Sequence, residues 1–208
     1  ANLLYKYAQQ YSPNLKFFIS ASGTGHYGQI TSDQIFKEDD LPCDDFLGKI
    51  CVDWEKAAYQ FENIGTRVVC LRTSLVLAKE GEGFKLMKKP IQLGIGANLG
   101  NGKQWMPWIH IDDLTNIYLE AVENIQWSGS YNASSPEQTN HATFNQTMAK
   151  AMNKPFFMPN IPAFVMRCVL GEMSDLVLKG SRISSEKVEQ TGFIFEYPTL
   201  EKALKNLL

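Results

Sequence analysis

Apolar and polar residues fall into two patterns along this chain. KFFISAS and TRVVCLRTSLVLA are apolar on both faces, and the second is rich in β-branched residues, which predicts strands buried within a parallel sheet. Elsewhere apolar residues recur every three to four positions and predict helices. NLLYKYAQQY is the end of one helix, stopping before Ser12-Pro13. A second runs from about Phe46 to Asn63, capped by Asp44 or Asp45 and ended by Gly65, with Trp54 in the core. Strand, helix and strand with short connections make a βαβ unit. Residues 29–45 are acidic and polar and read as a surface loop. Further on, GFKLMKKPIQLG is a short amphipathic piece, WMPWIHI is extended, and Asp112 or Asp113 caps the helix LTNIYLEAVEN. GSYNAS is a short strand, and a helix from about Thr139 to Lys154 ends before Pro155. PAFVMRCVLGEM, residues 185–190 and TLEKALKNLL complete the helices, with FIFEY read as strand-like.

Composition narrows the class of protein. The 44% hydrophobic and 20% charged content is that of a globular chain, and a net charge of −2 gives no basic excess for nucleic acid. Four scattered cysteines form no CxxC pair, so neither a zinc site nor a disulfide framework is expected. No run reads as a membrane span or a signal segment, and the expected location is cytoplasmic. The N-x-S/T sequons at Asn132 and Asn145 are read as chance. GIGANLGNGKQ imitates a dinucleotide fingerprint, but it neither follows a buried strand nor opens a helix, so it is read as a plain loop.

Taken in order, SASGTGHYG, DDFLGKICVDWEKAA, TRVVCLRTSLVLA, the Gly-rich loop and WMPWIHIDDL resemble the extended short-chain dehydrogenase/reductase superfamily. Within it they are similar to the branch of NAD(P)-dependent epimerase family proteins, and the tail from PAFVMRCVLGEM onward is similar to that branch's C-terminal region. The resemblance implies an α/β fold, the C-terminal half of a Rossmann-type doubly wound parallel sheet with a mostly helical substrate-side region. Residues 1–80 would be the remainder of the NAD(P)-binding domain, 81–160 the substrate-side region and 161–208 the family-specific tail. The family's first half, with the loop that holds the cofactor pyrophosphate, has no counterpart upstream of KFFISAS. The expectation is therefore a free sheet edge, with poor solubility or association through it.

The same resemblance implies NADP or NAD as cofactor, NADP ahead of NAD, no metal, and an unknown small-molecule substrate for an oxidoreductase or epimerase-like enzyme. Ser20, Ala21, Ser22, Arg72, Thr73 and Leu75 fall at the cofactor-side positions. In the family a hydroxyl residue after the fifth strand orients substrate, a Tyr transfers a proton, and a Lys lowers the Tyr pKa. Ser22 matches the hydroxyl residue, with Thr24 as the alternative. CVDWE occupies the place of the Tyr/Lys pair, putting Cys51 and Glu55 there. A carboxylate would raise a neighbouring thiol's pKa, so the family's proton relay does not carry over. Cys51 reads first as a plain buried helix residue, and Glu55 as a ribose ligand, a base or a solvated charge. Tyr27 is a substitute acid or a structural residue. His26, His110 and Asp112 are substrate-side candidates, the last two also structural, and Arg72 either binds an anion or forms an ion pair. The rival reading is an inactive NAD(P)-binding sensor or interaction protein.

Overall fold

A computed structural model describes residues 1–208. The chain runs through α1 (Asn2–Tyr11), β1 (Phe17–Gly23), β2 (Ile35–Phe36), α2 (Phe46–Tyr59), β3 (Arg67–Thr73) and β4 (Leu75–Leu77). It continues as α3 (Glu82–Gln92), β5 (Trp108–His110), α4 (Ile111–Glu123), β6 (Gly129–Ala133), α5 (His141–Ala151) and α6 (Ala163–Leu170). Last come α7 (Asp175–Leu178), β7 (Arg182–Ile183), α8 (Glu186–Gln190) and α9 (Leu200–Leu207). The main sheet is parallel with order β1-β3-β6, so β1 is paired on one side only.

Side-chain alternation along β3 explains the layering. Val68 and Cys70 point to one face, where they pack with Ala8 of α1, Ala58 of α2 and Phe61. Val69 and Leu71 point to the other, where Ile117 of α4, Trp127, Tyr131 and Val188 of α8 close a second core. Helices thus cover both faces of a parallel sheet, which is why the middle of its central strand, Val68 to Leu71, is apolar on both sides. A third core gathers Leu77, Phe84, Trp108, Phe144, Met148, Leu200 and Leu204 around α3, α5 and α9.

Several sequence expectations are corrected. TRVVCLRTSLVLA is two strands, because the chain breaks at Ser74 and β4 leaves the main sheet to pair with β5. Residues 29–45 include β2, which pairs with β7. FIFEY forms no strand; the amides of Glu196 and Tyr197 bond instead to the buried carboxylate of Asp113. Asp45 caps α2, accepting from Gly48 N at 2.7 Å, and the helix passes into a 3-10 turn ended by Gly65 in the left-handed region. Neither Asp112 nor Asp113 caps α4: His110 does, its Nδ1 accepting from Asp112 N. Trp54 is exposed, on the outer face of α2. No helix is long and apolar enough to cross a membrane.

Candidate functional site

Register builds the candidate site. Ser22 on β1 pairs with Arg72 on β3, and Arg72 pairs with Asn132 on β6, so the three form one row across the sheet. Alternation turns the row toward the face covered by α2. Directly behind it lies the row Ser20, Cys70 and Ser130.

Glu55 reaches these rows from α2. Its Oε1 accepts from Ser22 Oγ at 2.8 Å and Arg72 Nε at 2.8 Å, while its Oε2 accepts from Arg72 Nη2 at 2.9 Å and Ser130 Oγ at 3.1 Å. Four donors fill the capacity of a carboxylate, and the Arg72 contact is a two-pronged fork. Glu55 is therefore no solvated helix charge; it is buried. Burial by itself would raise its pKa, but the bonds and charge of Arg72, with the Ser22 hydroxyl, outweigh this and hold the carboxyl below its ordinary value. The group is ionised at neutral pH and a weak base.

Arg72 has little left for a ligand. Besides Glu55, its Nη1 donates to Tyr27 Oη at 2.8 Å and to the Glu38 carbonyl at 2.9 Å. Tyr27 in turn donates to Asn132 Oδ1 at 2.8 Å, and burial pushes its pKa up to about 12. A phenol so committed holds its proton at neutral pH. His26 lies 4.0 Å from Glu55, with Nδ1 buried and lacking a hydrogen-bond partner. Burial, then the Arg72 charge, lowers its pKa and keeps the ring neutral. Cys51 sits one turn before Glu55, buried against Gly23 and Gly25, and burial raises its thiol pKa. Glu55, Arg72 and the Tyr27 hydroxyl are satisfied within this internal network, whereas His26 Nδ1 is not. At neutral pH Tyr27 and Cys51 hold their protons, Glu55 is ionised and the His26 ring is uncharged.

The open space lies alongside. A cavity of about 300 Å³ has Thr24 and Leu75 in its wall, both just past the carboxyl ends of the main-sheet strands. Met106 and Trp105 supply apolar surface, and Gln104 and His141 supply polar groups. Thr24, then, faces the space, while Ser22 is buried with its proton directed to Glu55. Ser20 turns its hydroxyl to the Ala21 carbonyl, and Ala21 is exposed. Thr73 Oγ1 bonds to the Leu71 carbonyl. His110 and Asp112 are together at the start of α4, where the buried His110 ring stacks on Tyr197 and contacts Asn206. The Gly-rich loop packs on the C-terminal region, with Gly100 N bonded to the Ile161 carbonyl, and opens no helix. No cluster of metal-ligating side chains is present.

Sequence reasoning missed Glu38, Ser130, Asn132 and Tyr59, whose hydroxyl meets Ser130 Oγ at 2.9 Å. One signal was there: polar residues recur every second position near the ends of three strands, as Ser20/Ser22, Cys70/Arg72 and Ser130/Asn132. Asn132, read only as a chance sequon, is wholly buried.

Comparison with known proteins agrees with this architecture. Residues 2–134 match the NAD dependent epimerase/dehydratase family, and residues 161–207 match a domain of unknown function, DUF1731. The epimerase family protein SAR0825 of Staphylococcus aureus is 37% identical over 208 residues, covering 99% of this chain and 68% of that protein. The crystal structure of human epimerase family protein SDR39U1 with NADPH is similar at a TM-score of 0.92 and 30% identity, covering 99% of this chain and 70% of that one. A nucleoside-diphosphate sugar epimerase from Corynebacterium glutamicum follows at 0.78 and 29%, covering 99% and 40%. This chain belongs to the NAD dependent epimerase/dehydratase family.

Proposed function

We propose that the chain takes part in binding a nicotinamide dinucleotide at the carboxyl ends of β1 and β3, and binds a small-molecule substrate in the adjoining cavity. The observation carrying this reading is the cavity's position, with Thr24 and Leu75 of those strand ends in its wall. Ligands of open α/β sheets bind outside the carboxyl ends of the strands. The similar human structure contains NADPH. Along β1 the small residues Ser20 and Ala21, with Ala21 exposed, fit the flat face of a nicotinamide, and Thr73 and Leu75 flank it. Arg72 serves from behind, fixing Glu55 instead of touching the cofactor. When bound, the nicotinamide supplies a hydride acceptor or donor.

This chain's residues divide the remaining tasks. Thr24 presents a hydroxyl to substrate, so it orients a carbonyl or alcohol group. Ser22, Glu55 and Arg72 are positioning residues that hold the strand ends in register. Proton exchange falls to solvent, because Tyr27 and Cys51 hold their protons. Those two held protons also favour a second reading, a family member that binds cofactor without turnover.

The test is a fluorescence titration of NADPH and NADH into this chain, and into a version carrying a strand-glycine-helix unit ahead of Ala1 to hold the pyrophosphate. Binding that appears or tightens in the second protein is expected. Absence of binding in both removes the cofactor reading. A substrate screen then separates the two readings: turnover lost in Thr24→Val supports the enzyme, and cofactor binding without any turnover supports the sensor.

A further inference from the structure

Neighbouring segments after β4 leave large apolar side chains in solvent. Along α3, Phe84 and Ile91 are buried, and the opposite side of the helix presents Leu86, Lys89 and Leu93, spaced three and four apart. Every residue of α6 except Arg167 is apolar, yet none is buried. A helix apolar on all sides is ordinarily covered.

Backbone bonds bring these pieces together. Gly100 N donates to the Ile161 carbonyl and Ile161 N to the Asn98 carbonyl, both at 2.8 Å, so the loop after α3 runs beside the residues that lead into α6. Phe156 packs on the same loop, where a Cβ at Gly96 would come within 3.2 Å of its ring. Across these adjoining segments Leu93, Ile95, Phe157, Phe164, Val169 and Met173 are each more than half exposed. Single exposed apolar residues are common, whereas a cluster marks a contact surface.

Positive charge is concentrated on the same segments. Residues 82–103 and 152–179 together carry seven Lys and Arg against three Asp and Glu, a balance of +4 in a chain whose total is −2. Lys85 and Lys179 are paired with Glu80 and Asp175, but Lys88, Lys89, Lys103, Lys154 and Arg167 form no ion pair. Lys89 and Arg167 stand exposed among the apolar side chains.

This combination discriminates between partners. A second copy docked across a two-fold axis would set the positive face against itself. A nucleic acid would use the cations, but Leu93, Ile95 and Val169 offer it neither a hydrogen bond nor a ring for stacking. A lipid surface with anionic headgroups uses both features, because apolar side chains enter the acyl boundary while cations meet the headgroups. We propose that the face formed by α3, the loop after it and α6 lies on an anionic lipid surface without crossing it. No helix is long and apolar enough to cross. The inference does not depend on the cofactor reading.

Flotation of the 208-residue chain with vesicles of phosphatidylcholine, or of phosphatidylcholine with about one third phosphatidylglycerol, tests this. The expected result is recovery with the anionic vesicles, about tenfold weaker binding to the neutral ones, and release at about 0.5 M salt. Lys89→Glu with Arg167→Glu, and separately Phe164→Glu with Val169→Glu, should each weaken binding about tenfold or more. Both pairs are at the surface, so the unfolding midpoint should stay near that of the parent. Leu3→Glu, on the exposed side of α1, should change binding by less than about twofold. Equal binding to the two kinds of vesicle, undiminished binding by either double variant, or no binding by a chain that unfolds cooperatively would each overturn the proposal. Loss of binding in Leu3→Glu alone would overturn it by moving the contact to α1. A concentration-dependent dimer that Phe164→Glu disperses, in a chain that does not float with vesicles, would overturn it by making the occupant a second copy.

Discussion

Arg72 and Glu55 show how much one residue pair can decide. Removing either leaves the other as an unpaired charge in a site with almost no solvent. Breaking a buried pair in this way costs about 3–5 kcal/mol. Arg72→Ala is therefore expected to lower the urea unfolding free energy by that amount. Arg72→Lys should rescue little, because an ammonium cannot reproduce the fork to both carboxylate oxygens and the bonds to Tyr27 and Glu38. Full recovery in the lysine variant would show that charge alone matters. His141 supports a prediction in pH. Its folded pKa of about 4 lies below the ordinary 6.5, so between those values the unfolded chain binds more protons than the folded one. Its contribution to stability is complete above about pH 6.5, falls as pH drops through that window, and is gone below about pH 4. The loss is on the order of 3 kcal/mol. His141→Gln should flatten the dependence of the urea midpoint on pH between 4.5 and 7; an unchanged slope would assign it to other groups.

Elements follow local sequence where a rule is local. The cap at Asp44 or Asp45, the turn at Gly65 and the two-faced apolar run of β3 were all legible, because each depends on residues a few positions apart. What was illegible depended on distant partners. Nothing within TRVVCLRTSLVLA says that Leu75 pairs with Trp108 rather than continuing the main sheet, and nothing near FIFEY announces Asp113, whose carboxylate takes the backbone amides of Glu196 and Tyr197. The site divides along the same line. Resemblance brought out Glu55 and Ser22 as candidates, but the fork from Arg72, the reach of Tyr27 to Asn132 and the turning of Ser22 away from the cavity required three strands in register. Two glycines within helices make the contrast testable. In α2, a Cβ at Gly48 would run into the carbonyl oxygen of Cys43, whereas at Gly83 in α3 nothing lies within 4 Å. Alanine is the better helix former at both, by about 0.8–1.0 kcal/mol. Gly83→Ala should accordingly stabilise the protein by up to about that much, while Gly48→Ala should destabilise it by about 1–3 kcal/mol through overpacking. Thermal unfolding of the two variants should move in opposite directions, and a shared direction would mean that propensity outweighs packing.

At the scale of the whole molecule, the one-sided pairing of β1 supports a prediction about the 208-residue chain in solution. The strand hydrogen-bonds to β3 alone, Phe17 and Ala21 are exposed, and beside it α1 presents Leu3, Leu4, Tyr7 and Tyr11 to solvent. Parallel strands in α/β folds ordinarily have neighbours and covered faces. An unpaired edge with apolar surface around it offers a second chain both backbone hydrogen bonds and apolar area. The 208-residue chain is therefore expected to associate, with a sedimentation coefficient that rises with concentration. A charge on the edge opposes strand addition, so Ala21→Lys should shift the population toward monomer while leaving the far-UV spectrum unchanged. Should that variant associate as strongly as the parent, the contact would belong to the face of α1 instead, and Leu3→Glu would be the substitution that disperses it. A parent chain that sediments as a monomer at every concentration and unfolds reversibly in one sharp transition would show that β1 needs no further neighbour.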